Sequence, residues 1–233
     1  MSSDSDSEFA ARVVTDTIAA LSPLADPERA APMRAYMKDV APFLGIGTPA
    51  RRAAMRPLIK SWGARSGDEV GAAARALWVL DEREYAYAAC DFIAARHRDL
   101  TADFVQSHGE YLLTTRPWWD TVDSLGNAFV TSVVAAHPEL VDLMWQWLRC
   151  DNIWLTRAAL QHQRGLRDKT DVQRLVAMCD ERSADKEFFI AKAVGWALRD
   201  LAAIDRPAAE KFRADHAHLP TVSRREMLRG LNR

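Results

Sequence analysis

Along almost the whole of this 233-residue chain, apolar residues recur three and four positions apart. That spacing is the period of an amphipathic helix, and it leaves little room for the alternation of a strand. Trp118, Val122, Leu125, Phe129 and Val133 fall on one stripe, and Ile190, Val194, Ala197, Leu198 and Leu201 on another. No Asn-Gly or Asp-Gly pair offers a tight hairpin. The spacing predicts helices over 8–21, 27–39, 49–62, 66–79, 82–97, 101–114, 118–135, 138–149, 153–164, 169–179, 185–203, 207–216 and 221–230. Ser22-Pro23 and Asp26-Pro27 separate the first helices, and Thr48-Pro49 has the form of an N-cap followed by Pro at the first helical position. Pro117, His137-Pro138 and Arg206-Pro207 mark further starts. The predicted class is all-α. Helix pairs recur at about 35–40 residues, the period of HEAT-like repeats. Stacked antiparallel pairs make a curved α-α superhelix, a solenoid with a concave face; a plain bundle is the other all-α arrangement. With no internal linker, 8–233 reads as a single domain behind a disordered acidic tail at 1–7.

Several function classes drop out. No apolar run reaches the roughly 18–20 residues of a membrane span. The start, MSSDSDSEF, is acidic and polar, unlike a secretory signal. Cys90, Cys150 and Cys179 are an odd number with no close pair, which fits packing residues in a reducing cytoplasm rather than a disulfide framework. Gly45-Ile46-Gly47 lacks the spacing of a nucleotide-binding turn, and no metal-ligand pair or nucleophile elbow occurs. His216 and His218, two apart, point to different faces of a helix. The sequence therefore calls for no metal and no cofactor. Net charge is −1, which excludes a globally basic coat but not a local basic face.

The informative residues lie off the apolar stripes. On the 185–203 helix Lys192, Trp196 and Arg199 fall opposite the core stripe, at i, i+4 and i+7. Trp196 is either packed against a second neighbour or an aromatic platform flanked by phosphate contacts. On the 118–135 helix Trp119 and Asp123 lie four apart, so their side chains are neighbours. Asp120 fits a carboxylate favoured by the helix dipole; Asp123 lies beyond the first turn, where that benefit fades. Arg157, Gln161 and Arg164 share a face of the 153–164 helix with Ile153 and Leu160. A triplet of this kind is ordinarily a solvated surface, yet large apolar neighbours make Arg157 a partly buried cation in search of a carboxylate or phosphate.

Two more clusters are cationic. Thr48-Pro49-Ala50-Arg51-Arg52 opens a helix, a setting that suits a phosphate. Ser223-Arg224-Arg225-Glu226, with Arg229 and Arg233, makes the carboxy-terminal end basic, while 8–30 and 81–103 are acid-rich. Segregated charge on a neutral chain allows, without requiring, a basic concave face for DNA.

Four segments, YMKDVAPFLGIGTPARR (36–52), RPWWDTVDSLG (116–126), NIWLTRAALQHQ (152–163) and EFFIAKAVGWALRDLA (187–202), followed by SRREML (223–228), together resemble the AlkD-like DNA alkylation repair glycosylases. The resemblance spans about residues 30–230. It implies a HEAT-like solenoid acting on double-stranded DNA, with release of cationic N3- and N7-alkylpurines while the lesion stays largely stacked. An exposed DNA-binding face argues for a monomer, and the free cysteines for the cytoplasm, where a DNA-acting chain would associate with the nucleoid. Carried over residue by residue, the resemblance gives Asp123 as the catalytic acid, Trp119 and Trp196 as the flanking indoles and Arg157 as the site arginine. Tyr36 becomes a third aromatic of the site, and Thr48, Arg52 and Arg199 become backbone contacts. Arg51, Gln161, Arg164, Lys192, Arg224 and Arg225 complete the expected DNA face. This chain has Thr156 where the family often has a second basic residue. A helical-repeat module that binds DNA or protein without catalysis, such as a lesion sensor, explains the fold and basic patches equally well but not the match of the four site residues.

Overall fold

The computed structural model describes residues 2–232, of which 2–6 by backbone alone. Among these residues every regular element is helical, as the apolar spacing predicts. The chain expected as one domain packs as two compact units, Met1–Val133 and Val134–Arg233. No Gly- or Ser-rich stretch marks the division, so nothing in the composition announces it.

The amino-terminal unit runs through α1 (Ser2–Leu21), α2 (Pro27–Tyr36), α3 (Thr48–Ser61), α4 (Gly67–Trp78), α5 (Arg83–Ala95), α6 (Ala102–Phe104), α7 (Glu110–Thr114) and α8 (Trp119–Leu125). Helix α1 starts well before the expected 8, so the segment read as a tail is helical from Ser2. The buried stripe of α1 begins only at Phe9, and a stripe is all that periodicity detects. Helix α4 packs against α1 and α5, and α5 against α3 and α8. Trp62, Leu77, Trp78, Phe92, Phe104 and Phe129 fill the core.

Three local departures from the sequence reading have physical causes. Helix α2 stops at Tyr36 rather than 39 because Lys38 and Asp39 turn left-handed, at φ 60° and 57°. The cap of α3 is Gly47; Thr48 is its first helical residue and makes no cap bond. The predicted 101–114 and 118–135 helices each contain a π-helical turn, Val105–Gly109 and Gly126–Val130. At Gly109 a Cβ would stand 3.1 Å from the Phe129 ring, so the missing side chain lets the two turns approach.

The loop 37–47, between Tyr36 and Thr48, is pinned from beneath. Glu84 is fully buried, and its carboxylate accepts from the backbone N–H groups of Leu44 (2.9 Å), Gly45 (2.9 Å) and Ile46 (3.0 Å). Gly45 sits at φ 85°, where a Cβ would fall 2.0 Å from the Asp26 carbonyl oxygen; only glycine fits.

The second unit comprises the second half of α9 (Thr131–Ala136) followed by α10 (Val141–Arg149), α11 (Ile153–Gln161), α12 (Val172–Glu181), α13 (Phe188–Ile204), α14 (Arg206–Asp215) and α15 (Thr221–Leu231). Helix α13 is its axis, packed against α11, α12, α14 and α15. Its predicted stripe, Ile190 to Leu201, is buried throughout. Where α13 meets α15, two glycines remove the side chains from the contact. A Cβ on Gly195 would lie 2.9 Å from the Ser223 Cα, and one on Gly230 would lie 2.7 Å from the Arg199 carbonyl oxygen. The Ser223 hydroxyl donates to the Ala191 carbonyl at 2.6 Å. The three cysteines are free thiols: Cys90 and Cys179 are buried as expected, whereas Cys150 is half-buried. Burial pushes the Cys179 thiol up to about 12 and raises Cys90 as well. No described helix is long and apolar enough to cross a membrane.

Candidate nucleic-acid interface and active site

Helix α8 sorts its two carboxylates by turn. Asp120, in the first turn, is buried and accepts from both arms of the Arg83 guanidinium, at 2.7 and 3.0 Å, and from the Tyr87 hydroxyl. Arg83 also donates to the Thr121 hydroxyl at 2.9 Å and to the Arg116 carbonyl at 2.9 Å. Burial works against the charge on Arg83, but the bonds and charge of Asp120 outweigh it and hold its pKa above the ordinary value. Tyr87 is pushed up by burial and then by the charge of Asp120. The dipole reading of Asp120 is therefore replaced by a buried ion pair, whose breakage would cost about 3–5 kcal/mol. Asp123, one turn on, is half-buried and lies i+4 from half-buried Trp119.

Tyr36 is 72% exposed and meets Trp119 edge to face, with ring centroids 6.3 Å apart at 82°. The left-handed turn after Tyr36 holds the phenol at the end of α2, and the Arg83 grip on Asp120 holds Trp119 at the start of α8. Thr48 and Arg52 are exposed at the start of α3. Arg51 is buried: its guanidinium lies 3.0 Å from Asp91 and 5.0 Å from the Tyr87 ring centroid. Arg51 is thus a packing cation, not the exposed DNA contact expected of it. Arg52 shares Asp91 at 3.1 Å but stays open to solvent.

The second unit builds its face around Trp196. Four cations stand near this indole: Arg164 at 4.6 Å, Arg157 at 4.7 Å, Lys192 at 5.5 Å and Arg199 at 6.0 Å from the ring centroid. The alternative of Trp196 merely packed on a second neighbour does not describe this, because its neighbours are guanidinium and ammonium groups. Arg157 is buried and donates to the Phe189 carbonyl at 2.7 Å. Arg164 donates to Gln161, which is itself buried, at 3.0 Å. Arg199 pairs with Glu226 at 3.0 Å, and Arg229 shares the same acid at 2.6 Å. Among the described residues, no carboxylate lies in ion-pair range of Arg164 or Lys192. Asp200, one turn past Trp196, has its pKa raised by burial, partly offset by Arg164 and Arg199. Arg224 and Arg225 are exposed on α15, and Arg224 donates to the Ala217 carbonyl at 2.6 Å. Arg233 lies outside the described residues. Thr156 is fully buried, with its hydroxyl on the Trp147 carbonyl at 3.2 Å, so the departure from the family pattern there serves packing.

Sequence reasoning missed the supports. Arg83, Glu84 and Tyr87 read as polar residues on an amphipathic helix, and only three-dimensional packing shows Arg83 and Glu84 buried and Tyr87 half-buried. Glu226 was legible as part of a basic run, not as the acid that holds Arg229 of that run and Arg199 of α13.

Fold and site together describe a helical protein with an aromatic, cation-rich face. The chain belongs to the DNA alkylation repair enzyme family, whose sequence pattern matches residues 17–231. A solved structure described as a predicted DNA alkylation repair enzyme from Enterococcus faecalis is 30% identical, covers 87% of this chain and 94% of that one, and superposes with a TM-score of 0.80. Among curated proteins, none matches. Membership gives the chain a role in the repair of alkylated DNA.

Proposed function

We propose that the protein is a DNA glycosylase that releases positively charged N3- and N7-alkylpurines from duplex DNA. Alkylation at either nitrogen makes the purine a cation and so a good leaving group; no general acid is required and no cofactor is called for. The C1′–N bond breaks with both electrons leaving on the base. The sugar becomes an oxocarbenium ion, water adds at C1′ and loses a proton, and the products are a free alkylpurine and an abasic site. Asp123 stabilises the sugar cation and orients the water. The π faces of Trp119 and Trp196 attract the cationic base and sugar, worth about 1–2 kcal/mol each when desolvated. Lys192, Arg164, Arg52, Arg224 and Arg225 track the backbone, while Arg157, buried on the Phe189 carbonyl, holds its guanidinium against Trp196 from within.

The observation that carries the reading is Arg164 and Lys192 standing together over Trp196 with no acid in ion-pair range among the described residues. Like charges held together in this way call for a polyanion. The cavity beside Trp196, lined by Gln161, Arg164, Thr170 and Asp200, measures about 10 Å³. That volume suits a water molecule rather than a purine. The test is incubation with duplex DNA carrying 7-methylguanine, followed by assay of free base and of alkali-labile sites. Release of 7-methylguanine is expected; binding without release marks a non-catalytic lesion sensor instead.

A further inference from the structure

Two adjacent side chains at the start of α5 reach into different parts of the amino-terminal unit. Glu84 takes three successive backbone N–H groups of the 37–47 loop, and the backbone N–H of Arg83 donates to the Pro42 carbonyl of the same loop at 2.9 Å. That loop joins Tyr36 to Thr48. The Arg83 side chain goes the other way, to Asp120, Thr121 and the Arg116 carbonyl, and so fixes the first turn of α8, which carries Trp119 and Asp123. We propose that Arg83 and Glu84 are positioning residues for the reaction. Glu84 sets the Tyr36–Thr48 loop for DNA docking, and Arg83 sets Trp119 and Asp123 for bond cleavage. The inference rests on the glycosylase reading and adds residues that touch neither DNA nor the reacting atoms.

The chemistry of the two contacts supports this division. Apolar residues of similar volume in place of both Arg83 and Asp120 would stabilise a core about as well, whereas in place of Glu84 they would leave three loop N–H groups unsatisfied. A carboxylate shared among three N–H groups fixes where a loop lies, and a guanidinium fork fixes the orientation of the acid it grips. Orientation matters because a misplacement of about 1 Å can cost about 10²-fold in rate.

The experiment compares Arg83→Lys and Glu84→Gln with the native chain, by single-turnover release of 7-methylguanine at saturating enzyme, by DNA affinity and by amide hydrogen exchange. Arg83→Lys keeps the charge and loses the fork; its saturated rate should fall about tenfold or more with Kd unchanged within about twofold. Glu84→Gln keeps the shape and sets an amide group against the loop N–H groups; Kd should rise about fivefold with the saturated rate nearly unchanged. Tyr87→Phe removes one donor to Asp120 and should lower the rate in the same direction by less; it carries the test if Arg83→Lys does not fold. Exchange should quicken at Leu44–Ile46 in Glu84→Gln alone, and at the start of α8 in Arg83→Lys alone. Parallel losses of rate and affinity in both variants, or unchanged exchange at both places, would overturn the assignment. If the native chain releases no base, the glycosylase reading falls, while the exchange pattern still decides whether each residue holds its own segment.

Discussion

Two groups of cations, one in each unit, are spent differently. In the amino-terminal unit, Arg83 is buried against Asp120, Arg51 and Arg52 share Asp91, and Arg65 pairs with Glu69. In the carboxy-terminal unit, Arg164 and Lys192 crowd an indole with no acid in ion-pair range among the described residues, and Arg199 shares its one acid with Arg229. The first arrangement uses charge to hold helices in place. The second leaves charge over for a ligand. Arginine content alone does not separate the two uses; what separates them is the presence or absence of a paired carboxylate.

The comparison breaks most sharply at Asp123. Asp123→Asn should slow single-turnover base release about 10²–10³-fold while DNA affinity stays within about twofold; unchanged release removes the amino-terminal unit from the chemistry. His162 is buried in the second unit. Burial holds His162 down at about 4, and its Nε2 has no partner among the described residues. Its folded pKa lies below the unfolded value near 6.5, so the unfolded chain binds the extra proton. The contribution is complete above about pH 6.5 and is lost as pH falls toward 4, about 3 kcal/mol in all. Urea melts across that window should show the loss, and His162→Leu should flatten it whatever it does to stability at neutral pH.

Trp196→Ala should weaken release and binding by about 1–2 kcal/mol while costing less in thermal stability than a core tryptophan, since the indole is only half-buried; a fall in Tm with native affinity would make it a packing residue after all. The smallest effect separates the two classes of cation directly. Arg164→Ala or Lys192→Ala should each reduce the slope of log K against log salt by about 1. Arg51→Met should leave that slope alone and lower stability; an equal change in slope would erase the distinction between the two groups.

The helical class and most helix positions were legible because a buried stripe leaves its period in the sequence. Helix α13 shows this best: its stripe is buried and Trp196 stands off it, as the spacing requires. What periodicity does not encode is how helices end and bend. The left-handed pair at Lys38 and Asp39 shortens α2, and the π turns at 105–109 and 126–130 keep their apolar stripes while changing the backbone. The candidate site was partly legible for a related reason. Trp196 and its basic neighbours are conspicuous as exceptions to a pattern, but Arg51 and Arg52 look alike in sequence and only packing makes one a buried strut and the other an open cation.

The glycine contact between α13 and α15 has a consequence well beyond its size. With no side chain between them, the two helices touch backbone to backbone at Gly195 and Gly230, and the register of that contact is what puts Glu226 beside Arg199. A single methyl group added at either glycine would wedge the helices apart and loosen the acid from its arginine. The variant would show altered salt sensitivity and altered grip on DNA, and so pass for a lesion in the recognition surface, although the changed residue lies inside the protein and touches no nucleotide.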